Sequence, residues 1–174
     1  MNLWHDIQYG ESEDEVNTVI EIPKGSNMKY ELEKETGNLM LDRAMHSAVY
    51  YPGNYGMIPQ TYWDDGDPLD ILIISDEPLY PKTIAKVRPV GVMRMIDDGE
   101  GDDKILGVLE DDPRYDEVED IEDVASHRVD KIKDFFETYK NLKEADVSIE
   151  AVDGREAAQE AVKKGIRLYK EKFD

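Results

Sequence analysis

Residues 62–75, YWDDGDPLDILIIS, press carboxylates against the start of an apolar run. Asp65, Asp67 and Asp70 alternate with Gly66, Pro68 and Leu69, and Ile71-Leu72-Ile73-Ile74 follow at once. Four consecutive large aliphatic residues read as a short strand buried on both faces. Like charges beside such a strand repel one another and lose hydration, so cations are needed to compensate for them. Gly66 permits a tight turn and Pro68 stiffens the segment, so three carboxylates can face a common centre.

Outward from this stretch, the first half of the chain reads as strands. Residues 17–23 place Val19 and Glu21 on one face and Ile20 and Ile22 on the other. Residues 28–45 read as a hairpin turning at Thr36-Gly37, with Lys29 and Glu31 on one face of its first arm and Tyr30 and Leu32 on the opposite one. Two further strands are expected at 84–96 and 104–109, joined by the acidic, glycine-rich loop DDGEGDD. Strands at short intervals in antiparallel order predict a small barrel. The last third changes period. Val129, Ile132, Phe136 and Tyr139 recur at helical spacing, as do Ala158, Val162, Ile166 and Tyr169. The expected fold class is mainly β with α (α+β), a barrel with two packed helices toward the C-terminus. No linker or repeat divides the chain, so a single domain over 1–174 is expected.

Composition narrows the function classes. The 174 residues carry a net charge of −20, with 36% charged and no Cys. That field repels nucleic acid and anionic membranes, so neither is an expected partner. No apolar run approaches the ~20 residues of a membrane span, and no secretory leader is visible, which makes the cytoplasm the default location. Without Cys there are no disulfides, thiolate metal sites or Cys nucleophile. A solvated acidic surface accounts well for EDDPRYDEVEDIED at 110–123. It accounts poorly for the three aspartates beside the core.

Asp65, Asp67, Asp70, Asp97 and Asp102 offer only hard oxygen ligands, and His5, His46 and His127 are scattered. Hard divalent cations, Mg²⁺ first, therefore fit better than zinc. An EF-hand fails on spacing, since the position that must be Gly is Asp70 counting from Asp65 and Asp103 counting from Asp98. No phosphate loop or G-x-S-x-G elbow is present. Lys29, Arg43, Lys104 and Lys140 lie near these motifs, as do Tyr51, Tyr55 and Tyr139. Each taken singly is adequately explained as a surface charge or a core aromatic. Together, carboxylates, cations and phenols suggest a site that handles metals and phosphate.

The chain resembles the soluble family I inorganic pyrophosphatases of prokaryotic type. The resemblance rests on DGDPLD (65–70) and on four further segments in the same order: VIEIPKGSNMKYELEKETGNLMLDR, YYPGNYGMIPQT, RPVGVMRMIDDGEGDDKILGV and FFETYKNL. It implies a five-stranded OB-like closed barrel with helices against it. It also implies hydrolysis of inorganic diphosphate to two phosphates with several Mg²⁺ ions per subunit, Mn²⁺ or other divalent ions being able to substitute. By resemblance, Asp65, Asp70 and Asp102 hold the tightest metal, with Asp70 shared by a second. Asp97 and Glu31 are ligands of further ions, and Glu21 acts on a metal through water. Lys29, Arg43, Lys104, Tyr139 and Lys140 resemble phosphate contacts. Tyr55 resembles a partner of Asp70 or of substrate, with Tyr51 nearby.

A water bridging two metals loses its proton readily and becomes the nucleophile. Asp67, between two ligands, is the candidate general base. The resemblance further implies a homo-oligomer, a hexamer. Asp134 and Thr138, however, stand where some bacterial members have histidines at subunit contacts. Two other classes remain: a non-enzymatic ion- or phosphate-binding module, and a phosphatase acting on another substrate such as a nucleoside triphosphate.

Overall fold

Chain direction through one ring of strands determines where the acidic segments meet. The computed structural model describes residues 1–174. Strands β1 (Gly10–Ser12) and β2 (Glu15–Ile22) lead into the hairpin β3 (Met28–Glu33) and β4 (Asn38–Ala44). Then come β5 (Asn54–Met57), β6 (Asp70–Ile73), the long β7 (Ile84–Asp97), the short β8 (Glu100–Gly101) and β9 (Lys104–Leu109). Helix α1 (Ser126–Thr138), strand β10 (Val147–Gly154) and helix α2 (Arg155–Phe173) complete the chain. Pairing runs β2-β5-β6-β9-β7, and β7 returns to β2, so five strands close a ring. The β3–β4 hairpin is a separate two-stranded sheet.

The antiparallel order expected from sequence is broken at one pairing. β6 and β9 run parallel, with Asp70 opposite Lys104 and Leu72 opposite Leu106. The cause is the route of the chain. β7 pairs with β2 and β9 rather than with β6, and β9, returning antiparallel from β7, falls beside β6 in the same direction. A short strand whose last three residues are apolar and fully buried suits this, because both of its faces are covered. Ile71 and Ile73 pack with Ala158, Ala161 and Val162 of α2, while Leu72 and Ile74 pack with Ile132, Phe135 and Phe136 of α1. Each helix therefore seals one side of the strand that begins at Asp70.

Strands β5 and β10 lack a periodic apolar signal and, like the short β1 and β8, are not expected from sequence. β5 is buried throughout, yet it is pressed so closely between its neighbours that only glycine fits at its centre. A Cβ on Gly56 would lie 2.0 Å from the Val19 carbonyl oxygen. β10 runs along the outer side of β7 with no fully buried residue, alternating half-buried and exposed positions in its first half and half-buried throughout its second. Helix α1 is shorter than its pattern. Tyr139 caps it by donating its backbone N–H to Phe135 O at 2.8 Å, and Lys140 lies beyond the last turn. No helix is long and apolar enough to cross a membrane.

Candidate active site

The turn at Trp63–Asp67 is built by its own polar groups. Asp65 Oδ1 accepts the backbone N–H of Asp67 at 3.0 Å, Trp63 N donates to Asp67 O at 2.8 Å, and Gly66 adopts φ +85°. This turn delivers Asp70 to the first position of β6. The parallel register then sets Lys104 beside it. The buried ammonium of Lys104 donates to Asp70 Oδ2 at 2.6 Å, Asp102 Oδ1 at 2.7 Å and the Tyr55 hydroxyl at 2.9 Å. Burial pulls the Lys104 pKa down, but Asp70 and Asp102 outweigh it and hold it well above the ordinary range. Burial, reinforced by the same two carboxylates, raises the Tyr55 hydroxyl far above its usual value.

The hairpin forms the opposite wall. Lys29 and Glu31 share a face, as alternation predicts, and Lys29 Nζ lies 3.0 Å from both Glu31 and Asp42. Glu21, buried in β2, accepts the Leu32 N–H at 2.9 Å and ties the ring to the hairpin. At the far end of β7, Asp97 pairs with Lys140 just past α1. Tyr51, Tyr55 and Tyr139 stand together on the same side, with the Tyr51 and Tyr55 rings 5.3 Å apart.

One cavity of about 500 Å³ gathers these groups. Its wall contains every site residue expected from sequence except Arg43. Arg43 sits opposite Lys29, where the register skips one residue of β4 and leaves Asp42 as the extra residue of a bulge. The Asp42 carboxylate engages both Lys29 and Arg43 and draws the guanidinium to itself. Three charged cavity residues lie outside the sequence-derived set: Lys34, Asp98 and Glu100. Lys34 leaves the hairpin turn to pair with Asp67 and to donate to Gly66 O at 3.3 Å. Its signal in the sequence is its place at the turn, one charged residue past the strand that carries Lys29 and Glu31. Asp98 and Glu100 belong to the acidic loop already noted.

The cavity wall holds nine carboxylates and four lysines. The compensation sought for residues 65–70 is therefore partly internal, since Lys34 and Lys104 neutralise Asp67 and Asp70. No three acidic side chains are grouped as a ready-made metal cage, and Lys104 occupies the space between Asp70 and Asp102. Three observations nonetheless fit hard divalent cations. The carboxylates outnumber the ammonium groups by five. Asp97 Oδ1 is buried with no hydrogen-bond partner. Burial pushes Glu21 up to about 8, with Asp70 adding to it, and pushes Asp65 up to about 7, with neighbouring aspartates adding to it. Each marks negative charge still lacking a counter-ion in an all-oxygen donor set.

A closed OB-like ring with an ion-lined cavity at its strand ends, covered by two C-terminal helices, places the chain among small mainly-β hydrolases. Within that class it belongs to the inorganic pyrophosphatase family, whose profile matches residues 18–170. It is 44% identical to an inorganic pyrophosphatase of Haloferax volcanii, over 99% of both chains. It is also 44% identical to a soluble inorganic pyrophosphatase of Chlamydomonas reinhardtii, over 98% of this chain and 89% of that one. Among solved structures, the crystal structure of the inorganic pyrophosphatase of Thermus thermophilus superposes with a TM-score of 0.94 at 42% identity, covering 98% of this chain and 99% of that one. That of Helicobacter pylori gives 0.91 at 41%, covering 95% and 99%.

Proposed function

We propose that the chain hydrolyses inorganic diphosphate to two phosphates with Mg²⁺. The observation that carries this reading is the convergence of nine carboxylates, four lysines and four tyrosines on one cavity in a member of this family. Asp65, Asp70 and Asp102 would hold the tightest ion, with Asp70 shared by a second, and Asp97 and Glu31 would hold ions that arrive with substrate. Bound ions would screen the phosphate oxygens and acidify water. Glu21 keeps the hairpin against the ring and so sets the distance between Glu31 and the aspartates.

Lys29, Lys104 and Lys140 present ammonium groups to phosphate oxygens, and Tyr139 presents its hydroxyl. Their charge stabilises what accumulates on the leaving phosphate. Arg43 reaches substrate in this scheme by leaving Asp42. Tyr55 and Tyr51 pack behind Lys104 and keep water from its inner side. Asp67, half-exposed at the mouth and held by its backbone to Asp65, accepts the proton of the attacking water.

A homo-hexamer is part of the same proposal. The exposed side chains of Met40, Leu41, Tyr50 and Leu142 leave apolar surface for subunit contacts, and sedimentation would measure the state.

Phosphate release from diphosphate, ATP and p-nitrophenyl phosphate, each with Mg²⁺ and with EDTA, tests the function. Release from diphosphate alone, abolished by EDTA, is expected. Faster release from ATP would shift the assignment to nucleotides, and no release from any of them would leave a binding module.

A further inference from the structure

Asp103 lies between two cavity residues, Asp102 and Lys104, and strand alternation turns its side chain to the opposite side of the sheet. There it meets Arg94 of β7. Arg94 Nη1 donates to Asp103 Oδ2 at 2.8 Å, and Arg94 Nε donates to Asp153 Oδ2 of β10 at 3.3 Å. The other oxygen of Asp103 accepts the Met95 N–H at 3.3 Å. Its side chain is only 15% exposed. Arg94 thus ties β7, β10 and the entry to β9 from behind, and it opens onto a different groove from the catalytic cavity.

The segment it holds is under electrostatic load. Residues 97–103 contain five carboxylates and turn tightly at Asp98 and Gly99, with φ +49° and +84°. At one end Lys140 pairs with Asp97, and at the other Arg94 pairs with Asp103. Without the second pairing, repulsion within the loop would move Asp102 and Lys104 together, because both share its backbone.

We propose that Arg94 and Asp103 form a positioning pair that sets the affinity of the cavity for divalent ions without touching ion or substrate. This rests on the reading of the cavity as a Mg²⁺ site. The sign of the effect separates positioning from simple charge. By charge alone, removing Arg94 strengthens cation binding and removing Asp103 weakens it. If the pair positions the loop, both removals weaken binding and the double variant is no worse than the poorer single one.

Arg94→Met, Asp103→Asn, the double variant and Arg94→Lys are compared with wild type. The readouts are the MgCl₂ concentration giving half-maximal thermal stabilisation, and KM and kcat for diphosphate. Each single variant is expected to need about tenfold more Mg²⁺, the lower range for losing a residue behind a ligand. Arg94→Lys is expected to recover part of the loss. If Arg94→Met fails to fold, Arg94→Lys and Asp103→Asn decide by the same signs. Shifts of opposite sign, or no shift, overturn the proposal while leaving the Mg²⁺ site standing. A wild type that Mg²⁺ does not stabilise overturns the metal reading and the proposal with it.

Discussion

Lys104 carries the heaviest load of any single residue, because one buried ammonium separates two carboxylates that would otherwise face each other. Removing one partner of such a group typically costs about 3–5 kcal/mol, since the remaining charges stay buried and uncompensated. Lys104→Met should therefore lower the melting temperature in EDTA by roughly 10 °C, at about 2–4 °C per kcal/mol for a chain of this size. Adding Mg²⁺ should recover part of the loss, and a variant melting like wild type in EDTA would show that the ammonium is not the internal counter-ion. Asp67 is the contrasting case. It is half-exposed and its side chain pairs only with Lys34, so Asp67→Asn should leave melting and Mg²⁺ stabilisation nearly unchanged. Turnover should nevertheless fall on the order of 10²–10⁴-fold. Near wild-type turnover at the variant's own optimum pH would remove Asp67 from the role of base. At this scale the sequence is informative where side chains follow strand alternation, as Lys29 and Glu31 do. It is uninformative where a bulge intervenes, which is why Arg43 turns to Asp42, and where a turn swings a lysine inward, as at Lys34.

Elements differ in legibility for a physical reason. α1, α2 and β6 announce themselves because burial against the core imposes a local apolar pattern. β5 does not, because its burial is backbone against backbone, through Gly56. Gly56→Ala should accordingly cost about 3 kcal/mol or more by overpacking, which urea unfolding would measure. A variant within about 0.5 kcal/mol of wild type would mean that β2 can yield to a methyl group. The direction of the β6–β9 pairing is equally silent, since parallel and antiparallel partners present the same local pattern. Beyond the end of β6, a polar tether fastens the first helix to the ring. Asp76 Oδ1 accepts the Tyr115 hydroxyl at 2.6 Å and Arg128 Nη2 at 3.3 Å. The Tyr115 hydrogen bond, with Arg114 and Arg128 adding to it, holds the Asp76 carboxyl below its usual range. A carboxyl depressed by folding stabilises above its unfolded pKa, about 3.9, and loses that contribution as pH falls through its folded value. Wild type should therefore melt above Asp76→Asn near neutral pH, with the gap closing below about pH 4. A gap that widens on acidification would reverse the assigned sign.

For the whole molecule, a net charge of −20 means that folded copies repel themselves as well as one another. The screening length falls from about 10 Å at 0.1 M salt to about 3 Å at 1 M. KCl should relax repulsion among surface acids such as Asp111 and Glu119 and act little on the cavity. Thermal stability should rise from low salt to about 1 M KCl, and Mg²⁺ should stabilise at far lower concentration by occupying a defined site. A melting series in KCl and MgCl₂ on wild type and Asp70→Asn decides this. Melting that falls steadily with KCl contradicts self-repulsion, and equal Mg²⁺ stabilisation of both proteins contradicts the site. The parallel register of β6 with β9 bears on how the molecule comes into being. Asp70 and Lys104 are 34 residues apart and meet through a pairing that no two-residue turn can nucleate. During refolding, helical and hairpin signals should therefore appear first, and phosphate release should follow a lag, beginning only when the last seam of the ring has closed.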